Sequence, residues 1–121
     1  MKTVSGAKLD ITCGKIEIGD IIACSLDLKK SEYRIFEYLL RSKSEETISR
    51  ISKDLDLDRT TIQKILGVLF EKGLVARFQK NLKGGGYIFS YSIKEKPKLK
   101  SHIKKLLGEW HDDSVRQIDN Y

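Results

Sequence analysis

The spacing of apolar residues changes its period at Gly73, and that change limits the fold more than any other feature of the chain. Before it, "LDRTTIQKILGVLFEK" places Ile62, Ile65, Leu66, Leu69 and Phe70 three and four apart, the pattern of a helix buried along one stripe. Asp58 is suited to cap the start of that helix, and Gly73 can close its end in the left-handed conformation. After Gly73 the pattern becomes that of strands. In "LVARFQK", Leu74 and Val75 enter and Arg77 and Phe78 take different faces; "YIFSYSI" sets Ile88, Ser90 and Ser92 opposite Tyr87, Phe89, Tyr91 and Ile93. "NLKGGG" lies between them, and three consecutive glycines permit the positive φ of a tight turn. A helix followed directly by a β-hairpin is therefore expected.

Upstream, "KKSEYRIFEYLLRSK" predicts a helix over 32–42, capped by Ser31, with Glu32 in its first turn and Tyr33, Ile35, Phe36, Leu39 and Leu40 on its apolar face. "ETISRISKDLDL" predicts a short helix capped by Thr47 that carries Ile48, Ile51 and Leu55, with "DLD" as the turn before Asp58. "GDIIACSLDL" suits a short helix after Asp20, and residues 1–18 suit either a short strand or hairpin arm or a flexible arm. Downstream, "KEKPKLK" reads as a basic linker with Pro97 placed for a first helical turn. Leu99, Ile103, Leu106, Leu107 and Trp110 then follow a helical period, which Val115 and Ile118 continue less regularly. The fold class expected is mainly α with a small β-hairpin, in three parts: an N-terminal arm and short helix over 1–30, a helix-turn-helix with hairpin over 31–94, and a last helix over 95–121.

A chain of 121 residues can bury a core without metal or disulfide staples. Its net charge of +6 is unevenly placed. Residues 74–105 hold nine lysines and arginines against one acid, whereas residues 106–121 hold one against four. A basic excess concentrated from the 59–72 helix onward points to a polyanionic partner. No signal peptide or membrane span is present, which makes the chain intracellular by expectation, cytoplasmic and without membrane association, with Cys13 and Cys24 reduced.

The order helix, short helix, turn, helix, hairpin over 32–93 resembles a winged helix-turn-helix. "LDLKKSEYRIFEYLL" is similar to the opening helix of archaeal TrmB-like and MarR-like regulators, and "ETISRISKDLDLDRTTIQKILGVLFEKGLVARF" is similar to their helix-turn-helix core. The helix ending in "LLGEW" resembles the dimerisation helix of compact archaeal members. The wing "NLKGGGY" lacks the aspartate and arginine pair common near MarR-type tips and leaves Lys80 and Lys83 as its cations.

The resemblance implies a transcriptional regulator that binds double-stranded DNA as a homodimer. It places the 59–72 helix in the major groove. There Arg59 would meet a guanine edge, Gln63 an adenine, Thr60 a thymine methyl or a phosphate, and Lys64 a phosphate. Thr47, Ser49 and Thr61 would add backbone contacts, and Lys80, Lys83, Gly84 and Gly85 would bring the wing to the backbone or minor groove. Leu99, Ile103, Leu106, Leu107 and Trp110 would pair with the same stripe of a second copy, or else pack back on the chain's own first helix.

No catalytic set can be assembled from His102 and His111, no cofactor motif is present, and "KGGGY" lacks the ending of a phosphate-binding loop. The chain is expected to be neither an enzyme nor cofactor-bound, and no effector can be named. The alternatives weighed are a protein-binding or RNA-binding winged helix and a metal- or redox-sensing repressor using Cys13, Cys24, His102, His111, Asp112 or Asp113.

Overall fold

The computed structural model describes residues 17–121. The arm expected over the first eighteen residues falls almost wholly outside them, as does Cys13. In chain order the elements are α1 (Ile18–Ser25), α2 (Lys30–Arg41), β1 (Glu46–Thr47), α3 (Ile48–Leu55), α4 (Arg59–Glu71), β2 (Val75–Asn81), β3 (Tyr87–Ile93) and α5 (Lys96–Asp119). The chain is mainly helical with a small antiparallel sheet, in agreement with the expected class.

The core forms where the apolar stripes of α2, α3 and α4 meet. Ile35, Phe36 and Leu39 of α2, Ile51 of α3, and Ile62, Leu66 and Leu69 of α4 are fully buried together with Val75 at the start of β2. All eight are branched or aromatic side chains, whose burial stabilises by about 1.5–3 kcal/mol each. Phe70 departs from the expected stripe. It is 44% exposed, because it lies on the flank of α4 that faces the hairpin rather than α2.

Helix starts follow the predicted caps at two of three places. Thr47 accepts from the Arg50 N–H at 3.2 Å, and Asp58 accepts from the Thr61 N–H at 3.1 Å. The start of α2 lies two residues earlier than expected, with Lys29 and not Ser31 at the cap. Its physical reason is Glu32, whose Oε1 accepts the Lys29 N–H at 3.0 Å and so satisfies the entering backbone.

The turn between α3 and α4 is fixed by backbone geometry. Asp56 adopts φ 52°, a left-handed conformation that aspartate tolerates. The Leu57 N–H then donates back to Ser52 O at 3.2 Å, and Ser52 Oγ donates to Leu57 O at 2.6 Å. These two bonds set the direction in which α4 leaves. Gly73 closes α4 at φ 75° as expected.

The sheet has one more strand than the hairpin alone. β1 pairs antiparallel with β3 through Glu46 opposite Tyr91 and Thr47 opposite Ser90, which gives the order β1-β3-β2. A two-residue strand has no period of its own to read, so the sequence could not reveal it. "KEKPKLK" is mostly helix and not linker: α5 begins at Lys96 with Pro97 in its first turn. Lys96 is half-buried, and its ammonium donates to Leu40 O at 2.8 Å and Ser42 O at 3.2 Å, closing the end of α2. Arg34 likewise donates to Leu55 O at 3.0 Å at the end of α3, and the Lys72 ammonium donates to Asp27 O beyond the end of α1.

Tyr38 ties α2 to α3 by donating its phenol proton to Asp54 Oδ2 at 2.5 Å. Burial and then that hydrogen bond push the Tyr38 pKa from the ordinary 10.0 up to about 12, and the same bond holds the Asp54 carboxyl below its usual range. A phenol that keeps its proton longer in the folded state stabilises fully below pH 10.0, and that contribution is lost as pH rises towards about 12. Tyr38→Phe should cost about 0.5–1.5 kcal/mol near neutral pH. It should also flatten the fall in thermal stability between those two pH values, as followed by circular dichroism melting.

Candidate nucleic-acid interface

Burying the Ile62–Leu66–Leu69 stripe of α4 leaves the opposite side of that helix bare. Arg59, Thr60, Gln63 and Lys64 are all exposed there. Among the described residues none of the four side chains forms an intramolecular hydrogen bond or ion pair. Their donors and acceptors are therefore available to an outside partner. Thr61 differs. Its amide and its hydroxyl both point at Asp58 Oδ2, at 3.1 and 3.4 Å, so its first role is in the cap.

Thr47 and Ser49 stand at the start of α3. Thr47 is half-buried with its oxygen engaged by Arg50, and Ser49 is exposed. The two hydroxyls thus do unlike work, Thr47 within the fold and Ser49 at the surface.

The wing is the β2–β3 hairpin. Its register pairs Arg77 with Tyr91, Gln79 with Phe89, Lys80 with Ile88 and Asn81 with Tyr87. Alternation along the strands therefore divides its side chains between two faces. Arg77, Gln79, Asn81, Tyr87, Phe89 and Tyr91 share the face turned to α4, and Lys80 lies on the other. Lys83 is exposed in the turn, where Leu82 N donates to Gly86 O at 3.0 Å. Gly84 and Gly85 hold φ 85° and 103°, which a residue with a Cβ rarely adopts. The tip thus needs its glycines for the turn itself.

Sequence reasoning placed Arg77 in the strand and gave it no role, yet it joins wing to helix. Its guanidinium lies 5.0 Å from the ring centre of Phe70 and 4.5 Å from that of Phe89. Each such contact contributes about 0.5–1 kcal/mol at an exposed site. Beside it is a notch of about 200 Å³ lined by Gln63, Leu66, Gly67, Phe70, Arg77, Phe89 and Tyr91. The signal that could have found it is the pair of residues flanking the Gly73 stop, an aromatic three before and an arginine four after.

The five residues expected to form a dimer stripe are divided by the fold. Leu99 and Ile103 are 8% and 7% exposed, buried in the chain's own core, so they are not an open surface for a second copy. The physical reason is that α5 begins against the body, where α1 packs on it. Leu106 and Leu107 are half-buried, and Trp110 is 58% exposed. The stripe is continuous, but its cover from the same chain runs out along its length.

His111 Nδ1 lies 3.3 Å from Asp112 Oδ1, while His102 borders a separate cleft with Lys72, Lys94 and Lys98. Among the described residues no three His, Cys, Asp or Glu side chains converge as metal ligands would. No helix among them is long and apolar enough to cross a membrane.

Comparison with known proteins accords with this architecture. The family model described as sugar-specific transcriptional regulator TrmB matches residues 23–99, more than half of the chain. An uncharacterized protein of Methanocaldococcus jannaschii is 32% identical over 99 residues, spanning 82% of this chain and 81% of its own. A solved structure of a possible transcriptional regulator from Methanosarcina mazei Go1 has a TM-score of 0.68 at 30% identity, covering 97% of this chain and 98% of that one. The S. aureus MepR–DNA complex has a TM-score of 0.56 at 16% identity over 83% of this chain and 81% of that one, a likeness of fold alone. With helix, turn, helix and wing in this order, the chain belongs to the TrmB family of winged-helix transcriptional regulators.

Proposed function

We propose that the protein binds double-stranded DNA sequence-specifically as a homodimer, with α4 in the major groove and the wing on the backbone or minor groove. One observation carries the reading. The first two turns of α4 present Arg59, Thr60, Gln63 and Lys64 exposed and, among the described residues, unbonded, on the helix that follows the turn at Asp56 and precedes the wing. Side chains with several donors at one helix end suit base edges, where an arginine meets guanine and a glutamine meets adenine. Lys83 at the wing tip suits a phosphate. The likeness of fold to a regulator solved with DNA bound supports the same reading.

The dimer reading rests on α5. The helix has 24 residues and extends about 36 Å, and beyond Leu107 it carries Trp110, Val115 and Ile118 exposed. A tryptophan and two β-branched residues on one projecting helix are best covered by the same helix of a second chain. Two copies so joined would present two α4 helices about 34 Å apart to successive turns of a near-palindromic site.

Selection from random duplex DNA at a fixed salt concentration tests the reading directly. A recovered consensus with two related half-sites is the expected result, and recovery of no preferred sequence would refute it. On the selected duplex, Arg59→Ala should lose about 1–3 kcal/mol and relax preference at one base position. An equal loss on every sequence would remove Arg59 from base reading. Lys83→Ala should weaken binding evenly and lower the slope of log affinity against log salt by about one. Trp110→Ala should shift the sedimentation mass from dimer towards monomer at micromolar concentration, and make the melting temperature less dependent on protein concentration than that of wild type.

A further inference from the structure

The notch between α4 and the wing holds two features that the fold itself does not require. The first is Gly67. It stands in the middle of α4, exposed, and a Cβ built on it would meet nothing within 4 Å. A glycine in a helix interior is unfavourable relative to alanine, and here no neighbour in the chain excludes the methyl group. Its place on the helix is informative. It follows Gln63 by four residues and Thr60 by seven, so it continues the bare face that those side chains begin.

The second feature is Arg77. Its guanidinium sits between the rings of Phe70 and Phe89 at 5.0 and 4.5 Å, and among the described residues no carboxylate pairs with it. Contact with the faces of two rings restricts a long side chain without using its N–H donors, which lie in the guanidinium plane. A cation held this way is positioned before any partner arrives. Gly67 and Arg77 line the same notch of about 200 Å³, with Gln63 at its edge.

We propose that this notch is the seat of one phosphodiester of the bound duplex, with Arg77 supplying the charge and Gly67 supplying the room. The inference rests on the duplex-binding reading given above and adds an anchor to it. A backbone phosphate held between the reading helix and the wing fixes how deeply α4 enters the groove, and therefore which base pairs Gln63 and Arg59 reach. An added methyl at residue 67 would stand in the path of the sugar-phosphate chain, even though nothing in the free protein opposes it. Gly67 and Arg77 thus act as positioning residues for base reading.

The test uses the full chain and the duplex recovered by selection. Affinity is measured over a range of salt for wild type, Gly67→Ala, Arg77→Gln and Arg77→Lys, with melting temperature recorded for each. Gly67→Ala is expected to melt a few degrees higher than wild type, since alanine is the better helix former, yet to bind at least about tenfold more weakly. Arg77→Gln is expected to lower the salt slope by about one, and Arg77→Lys to restore that slope without restoring the full affinity. Neutral methylphosphonate substitutions, scanned one linkage at a time, should reveal one position that weakens wild type and leaves Arg77→Gln unaffected.

A Gly67→Ala protein that binds as tightly as wild type would overturn the proposal. So would an Arg77→Gln protein with unchanged salt slope, or a scan in which every linkage affects the two proteins equally. If Arg77→Gln does not fold, the Gly67→Ala result and the scan repeated with the neutral, longer Arg77→Met decide. A wild-type chain that binds no duplex at all would instead refute the underlying reading, which separates the two failures.

Discussion

Everything else in the molecule depends on α4 being gripped along one side and bare along the other. Ile62, Leu66 and Leu69 are fully buried against Ile35, Phe36 and Leu39 of α2 and Ile51 of α3. Cores pack at the density of organic crystals, so this three-helix contact has little freedom to rotate. The rotation of α4 about its own axis decides which of its residues meet solvent. Because the buried stripe is fixed, Arg59, Thr60, Gln63, Lys64 and Gly67 have to face outwards. The turn at Asp56 and Ser52 sets the direction of the helix, and the contact of Arg77 with Phe70 and Phe89 sets the wing beside it.

The basic residues do unlike work, which the net charge conceals. Arg34, Lys72 and Lys96 donate to carbonyls at or just beyond the ends of α3, α1 and α2. Carbonyls there have no helical partner and carry the negative end of the helix dipole, so a cation both satisfies and neutralises them. These three hold the helices in register with one another. Among the described residues Arg59, Lys64 and Lys83 form no such bond and stay exposed, open to a polyanion. A count of positive charge finds them all together; only their hydrogen bonds separate them.

The last helix is covered unevenly along its length. Its apolar stripe starts under the cover of the chain's own core at Leu99 and Ile103 and ends in the open at Trp110. The helix is thus anchored rigidly at one end and carries an uncovered apolar side chain further along. Lys96, at the first residue of that helix, bonds the end of α2 and makes the anchor stiff.

The periods of the apolar residues, the caps at Thr47 and Asp58 and the stop at Gly73 were legible in the sequence because each is a local rule, decided by residues within one or two turns of each other. By these the chain alone determined helix, turn, helix and hairpin, and hence which side of α4 carries Arg59 and Gln63. Features set by distant partners were not legible. The strand at Glu46–Thr47 exists only because β3 offers it an edge. Phe70 looked like core because helical period cannot say which of several neighbours covers a flank. Whether Leu99 and Ile103 would meet a second copy or the chain's own first helix was left open, because the stripe's pattern is the same whether its cover comes from the same chain or another. Those were decided by tertiary structure, since burial is a property of what lies opposite a side chain in space, and two residues such as Phe70 and Arg77 become partners only when the chain reverses between them.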